Sequence, residues 1–247
     1  MPRNYDAISR YNEEQLGKDR KSRMSQVAMY ADTAHFVYEL LQNADDAGAT
    51  EIRFVLSSDG LVVEHNGKPF DEEDVRAISY FGKGKTEVTA IGHFGLGFKS
   101  VFAYTASPRI HSTDDDFELV DLYTLQAVDR PRDLPKGKTR FILPFDHVPR
   151  RPVYIEGSKL KRADKARAEI GSKLKALGGA TLLFTKTLRE IQWSDGRSSG
   201  QYLREDTSLR GGGRETLIVS GDAGDQCFLV YERAITWADD DGVDSER

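Results

Sequence analysis

The chain reads as an α+β layered sandwich whose sheet is mixed but mostly antiparallel. Helix-period stretches alternate with runs that double back as hairpins, and the strand–helix–strand rhythm of a parallel sheet is missing. Size agrees: 247 residues, 38% hydrophobic and 30% charged, are enough to bury one sizeable core. No internal repeat or long low-complexity segment divides the chain.

The polar opening to Ser25 reads as an arm or a surface helix. A helix is expected over 32–48, with Asp32 as its N-cap and Gly48 as its stop. The period then changes to two. Ile52, Phe54 and Leu56 alternate with Arg53 and Val55, Asp59-Gly60 turns the chain, and LVVEHNG (61–67) returns, which predicts a hairpin. A second helix is expected over 72–81, capped by Asp71, with Phe70 and Val75 as a hydrophobic staple. A glycine-rich stretch (82–97) leads into a short helix over 98–104. Strands are expected over 117–128 and 139–145, a basic helix over 163–177, and further strands over 181–193, 215–221 and 226–233. The acidic tail, 238–247, is expected to be disordered.

Composition narrows the function. Lys and Arg number 35 against 40 Asp and Glu, a formal charge of −5 that disfavours generic polyanion binding. No uncharged apolar run reaches the roughly 18 residues of a spanning helix, and residues 1–10 lack the apolar stretch of a secretion signal, so a cytoplasmic location without membrane contact is expected. Cys227 is the one cysteine, which excludes an internal disulfide; its QCFLVY setting predicts a buried strand thiol.

On the first long helix, Glu39, Asn43 and Asp46 fall within about 60° of one another at about 100° per residue. Phe36, Val37, Leu40, Leu41, Ala44 and Ala47 form the apolar stripe beside them. Carboxylates at such a margin lose part of their hydration, which a divalent cation or bound water offsets; a solvated helix edge is the alternative. Residues 82–97 hold Gly82, Gly84, Gly92, Gly95 and Gly97, where the chain average of 22 in 247 predicts about 1.4. Such a stretch is either a flexible connector or a cradle whose N–H groups approach a phosphate. The order G-x-x-G-x-G is the reverse of the dinucleotide fingerprint, and Ser79 stands where a Walker A loop ending at Gly84-Lys85-Thr86 needs its first glycine.

Taken together and in this order, ELLQNADDA (39–47), EHNG (64–67), IGHFGLGFKSVF (91–102) and GKTRFILPF (137–145) resemble the successive motifs of the GHKL ATPases: the DNA gyrase ATPase subunit, the ninety-kilodalton heat-shock chaperones, the histidine kinases and MutL. The chain is most similar to the sacsin-like ATP-binding domains, through ELLQNADDAG and the xNGxPF turn. The resemblance covers about 31–193. It implies a Bergerat-type two-layer sandwich with helices on one face of the sheet, preceded by an arm (1–30) and followed by a strand extension (194–237) and the acidic tail.

The resemblance further implies ATP and Mg²⁺ as ligands. Glu39 becomes the general base that orients water against the γ-phosphate, Asn43 the Mg²⁺ ligand, and Asp46 its support. Gly92, Gly95, Leu96 and Gly97 with the Phe98 backbone hold the phosphates, Lys85 and Lys99 are within reach of them, and Thr139 lies near the adenine. The His65-Asn66-Gly67 turn replaces the family's usual D-x-G, whose Asp accepts a hydrogen bond from the adenine amino group. A neutral imidazole nitrogen can accept that bond and a protonated one cannot, so His65 is expected either to read the base in a pH-dependent way or to be a polar strand end. Histidine kinases carry an amide where this chain has Glu39, which favours hydrolysis over kinase activity.

Between 159 and 175, seven basic residues stand against Asp164 and Glu169, with Ile170, Leu174 and Leu177 on one face. This is an amphipathic surface helix or a nucleic-acid contact. Two function classes stay open: a slow Mg-ATPase completed by a basic residue from a partner or following domain, in a chaperone-like or defence-related assembly, and a nucleotide-gated interaction module in which turnover is incidental.

Overall fold

The computed structural model describes residues 3–16, 34–80, 96–120, 122–145, 160–209, 213–220, 224–231, 236–238 and 244–246. Five α-helices lie along them: α1 (Tyr5–Leu16), α2 (Phe36–Asp46), α3 (Glu72–Ser79), α4 (Leu96–Lys99) and α5 (Ala163–Lys175), with 3₁₀ turns at Ser100–Ala103 and Gly179–Phe184. The strands are β1 (Glu51–Leu56), β2 (Gly60–His65), β3 (Arg109–His111), β4 (Asp116–Leu119), β5 (Leu125–Ala127), β6 (Thr139–Pro144), β7 (Glu190–Ser194), β8 (Ser199–Leu209), β9 (Gly213–Ser220), β10 (Gln226–Val230), β11 (Thr236–Ala238) and β12 (Asp244–Glu246).

Ten strands form one open sheet in the order β10-β9-β8-β7-β1-β2-β6-β3-β4-β5. Every neighbouring pair is antiparallel except β1 and β7, as a mostly antiparallel α+β sandwich requires. Register puts Trp193, Phe54, Val63, Phe141, Ile110 and Phe117 in one row across six of the ten strands, all buried. The helices cover this face. The Phe98 ring of α4 lies 5.9 Å from Phe141, and the Tyr5 ring of α1 lies 5.4 Å from Phe117. Gly171 of α5 sits so close to Leu56 that an added Cβ would meet its Cδ2 at 3.5 Å. The outer face is polar: Arg140 pairs with Glu64 and Asp133, and Lys138 with Glu51.

Local chemistry accounts for the element ends. Gly48 takes φ +72°, and the N–H groups of Ala49 and Gly48 bond the carbonyls of Ala44 and Asp45 at 2.9 Å each, so α2 ends in a Schellman motif. Asp71 caps α3 as expected. Its carboxylate accepts from Asp74 N–H at 3.0 Å while the Asp74 carboxylate accepts from Asp71 N–H, and Val75 is buried where the staple places it.

Of the two readings of the opening segment, an arm or a surface helix, the helix is found, docked over Tyr5–Leu16; other expectations are corrected. Asn4 caps α1 by accepting from Ala7 N–H, Tyr5 and Ile8 are buried, and the Asn12 amide donates to Ser79 Oγ and the Tyr123 carbonyl at 3.1 Å. Helix α2 begins at Phe36 with His35 at its N-cap and no side-chain cap bond; Asp32 lies outside the described residues. The 117–128 run breaks into the β4–β5 hairpin, and β3 and the eleven-residue β8 were not anticipated. The TLLF segment is a 3₁₀ turn, because it follows Gly178-Gly179 and packs against Ile218 and Tyr202. The late strands extend the main sheet. Cys227 is exposed on the edge strand β10, donates to Glu215 Oε1 at 3.1 Å, and has its pKa raised first by that bond. Part of the tail expected to be disordered pairs as β11–β12.

Candidate functional site

Helix α2 carries Glu39 half-buried, with Asn43 and Asp46 exposed, along one margin of its buried stripe. Partial burial raises the Glu39 pKa above the ordinary carboxylate value, against a smaller opposite effect of His35. Among the described residues, neither the Glu39 carboxylate nor the Asn43 side chain has a hydrogen-bond or ion-pair partner. Both are hard oxygen donors about one helical turn apart, a set suited to a water and a magnesium ion that keeps most of its other ligands from phosphate and solvent. Asp46 lies 3.7 Å from Lys186 Nζ.

The neighbouring Asp45 is the buried acid of the motif, and the sequence did not single it out. Its carboxylate accepts from the N–H groups of Lys186, Thr187 and Leu188 at 2.8, 2.7 and 2.9 Å and from Thr187 Oγ1 at 2.9 Å. Burial pushes its pKa up, but these four donors win and hold it below the usual value. They fasten the end of α2 to the loop before β7.

The HNG turn abuts that same end of α2. A Cβ on Gly67 would meet the Ala47 carbonyl at 2.9 Å, and Lys68 N–H donates to that carbonyl at 2.7 Å, so only glycine fits. Asn66 ties the hairpin together: its Oδ1 accepts from the N–H groups of Thr50 and Glu51 at 2.9 and 3.1 Å, and its Nδ2 donates to Thr50 Oγ1. Its amide is thereby used within the hairpin.

His65 pairs with Thr139 across β2 and β6, so both side chains lie on the helix-covered face, and both are buried. Thr139 Oγ1 shares a hydrogen bond of 3.0 Å with Ser112 Oγ, which also accepts from Phe70 N–H. Ser112, unmarked in the sequence, thus links the HNG turn to the β6 threonine. The rings of His65, Phe70 and Phe98 lie 6.1, 6.0 and 5.9 Å from Phe141, which gathers the turn, the end of the glycine-rich segment and β6 around one aromatic centre. Helix α4 also packs against α2. The elements bearing Glu39, His65, Phe98 and Thr139 therefore share one side of the molecule.

Burial and the Lys138 charge lower the His65 pKa to about 4, so the ring is neutral near pH 7. Gly67 N–H donates to its Nδ1 at 3.1 Å, which assigns the ring proton to Nε2. The acceptor expected to meet an adenine amino group is therefore already occupied within the turn. Lys99 is fully buried and its ammonium donates to the Leu122 carbonyl. Leu96 and Gly97 fall in α4, whereas Lys85, Gly92 and Gly95 lie outside the described residues. No group of three or more His, Cys, Asp or Glu able to hold a metal occurs among the described residues.

In the 159–175 segment each described basic side chain has a partner. Lys161 and Lys165 pair with Glu169, Arg162 with Asp164 and Lys175 with Asp195, Arg167 donates to the Asp195 carbonyl, and Lys173 lies over the Tyr38 ring. Ile170, Leu174 and Leu177 are buried, which matches the amphipathic reading of this helix. No helix among the described residues is long and apolar enough to cross a membrane.

No family model matches the chain. Human sacsin is 34% identical over 158 residues, 51% of this chain and 3% of sacsin. Protein NO VEIN of Arabidopsis thaliana is 33% identical over 123 residues, 47% of this chain and 4% of that protein. The chain thus spans only a few hundredths of the length of these relatives. Among solved structures, the N-terminal domain of a DNA repair protein has 12% identity and a TM-score of 0.43, covering 80% of this chain and 70% of that one. The B-subunit of DNA gyrase from Myxococcus xanthus has 11% identity and a TM-score of 0.42, covering 84% and 66%. Over about half its length the chain is thus similar in sequence to sacsin and Protein NO VEIN, and its fold is an α+β sandwich on a mostly antiparallel sheet.

Proposed function

We propose that this domain binds Mg-ATP on the side shared by α2, α4 and the β2–β6 ends, hydrolyses it slowly, and serves as a nucleotide-driven switch in a larger chaperone-like or defence-related assembly of the cytoplasm. The observation that carries this reading is Glu39, a half-buried carboxylate with a raised pKa and no hydrogen-bond or ion-pair partner among the described residues, one turn before Asn43. A carboxylate held this way is a stronger base than one in water, and it lies beside the element that ends the glycine-rich segment.

In the proposed step a water oxygen bonds to the γ-phosphorus, its proton passes to the Glu39 carboxylate, and the bond from the γ-phosphorus to the β-bridging oxygen breaks to leave ADP. Bound Mg²⁺ supplies neutralisation of the phosphate charge, with Asn43 Oδ1 as the ligand from this chain. Asp45 and Gly67 keep α2 in place against the loop before β7 and the HNG turn, and the hydroxyls of Thr139 and Ser112 bond to each other on the sheet face shared with His65.

Phosphate release and ATP binding by the purified chain and its Glu39→Gln variant test the reading. The variant should retain ATP affinity within about threefold and lose on the order of 10²-fold or more in turnover. Equal turnover in the two proteins would remove Glu39 from the reaction; no ATP binding by either would remove the site.

A further inference from the structure

We infer that the outward face of the β8–β10 extension is a docking surface for a basic amphipathic helix of a protein partner. The inference is independent of nucleotide binding and starts from a change in the strand pattern. At the middle of the sheet, Phe54, Val63 and Phe141 face the helices, and Arg53, Glu64 and Arg140 stand outward. In the extension polar side chains move to the covered side. Arg204, Asp206 and Thr216 lie there: Arg204 Nε donates to Asp206 at 3.0 Å and Nη1 to the Leu182 and Thr185 carbonyls at 2.8 Å, and Thr216 Oγ1 donates to Asp206 at 2.7 Å. Apolar side chains take the other side. Leu203 stands outward opposite Val219, Leu217 opposite Cys227, and Leu229 opposite Glu215.

Leu229 and Tyr231, the latter just past β10, are 64% and 69% exposed, while Leu203, Leu217 and Val219 are half-buried. Single exposed apolar residues need no explanation, but a contiguous set on one sheet face marks an interaction site. Charge identifies the occupant. Glu205, opposite Leu217, and Glu215, opposite Leu229, are the two charged residues at outward positions of these three strands. Among the described residues neither has an ion-pair partner. A second copy of the same face would set these carboxylates against their equals, whereas an apolar stripe flanked by Lys or Arg satisfies both features. Width fits one helix. Strands lie about 4.8 Å apart, so β8 to β10 span about 10 Å, the diameter of a helix with its side chains.

The probe is a labelled helical peptide of about 18 residues with Leu at i, i+3, i+4 and i+7 spacing and Lys flanking that stripe, beside a twin carrying Glu for each Lys. Fluorescence anisotropy with the full chain at about 0.1 M salt should show the Lys peptide binding at least about tenfold more tightly than its twin. Glu205→Lys combined with Glu215→Lys should reverse that order. Leu217→Ser combined with Leu229→Ser should weaken the Lys peptide by about tenfold or more, with melting curves confirming that both variants fold. No binding of the Lys peptide, equal binding of the twins, or affinity unmoved by the serine variant would overturn the inference. So would sedimentation showing a dimer that Leu229→Ser dissociates, which would give the face to a second copy of the chain.

Discussion

The hydroxyl of Tyr104 accepts a hydrogen bond from the backbone N–H of Ala34 at 2.8 Å and donates to Glu169 Oε2 at the same distance. Ala34 has φ +51°, the one positive value at a non-glycine among the described residues, and it directly precedes His35, the N-cap of α2. Helix α2 has no side-chain cap, so its entry is fixed by a buried phenol reached through the chain that follows α4. Tyr104→Phe leaves the Ala34 N–H without this acceptor. Urea unfolding should show a loss of about 1–3 kcal/mol, larger than for a surface Tyr→Phe such as at Tyr11.

Asp45 offers a second test of how α2 is held. Asp45→Ala should cost about 3 kcal/mol, because three backbone N–H groups of the loop before β7 lose one shared acceptor. The folded pKa is depressed, so the stabilisation is present above the unfolded carboxylate value near 3.9 and is lost as pH falls through the folded value. Denaturant titrations should find the cost constant between pH 6 and 8. A variant as stable as the parent would mean that the loop satisfies its amides elsewhere.

His65 predicts an acid-sensitive fold with the opposite chemistry. Its pKa is lowered from 6.5 to about 4, so as pH falls below 6.5 the unfolded chain takes up the proton first. Stability is complete above that point and falls by up to about 3 kcal/mol toward pH 4. His111, also depressed by burial, adds to the slope. The difference between the parent and His65→Gln, followed by thermal melting from pH 8 to 4.5, isolates the His65 part. A difference that does not change with pH would place the ring in water.

Local signals in the sequence located much of the frame. Gly48, Asp71 with the Phe70–Val75 staple, and the Asp59-Gly60 turn each act over a few residues, and each appears where expected. What failed depended on distant partners. Asp45 finds its donors more than 140 positions away, and nothing in NADDA separates it from Asp46. Strand β8 was missed because Arg204, which bonds the Leu182 and Thr185 carbonyls, occupies an inward position where alternation calls for an apolar residue. Cys227 looked like core because its neighbours are apolar, but β10 is the sheet's edge and only its place in the strand order reveals that. The tautomer of His65 follows from the position of Gly67 N–H, which is a matter of turn geometry.

The one parallel joint, β1 to β7, sets an order of assembly. Glu51 must wait for Glu190 before that side of the hairpin is covered. Until then a nascent chain carries a bare ribbon edge at what will be the middle of the sheet, with Ile52, Phe54 and Leu56 on it. Any fragment that stops short of β7 inherits the same raw edge, and with it a tendency to recruit its own kind.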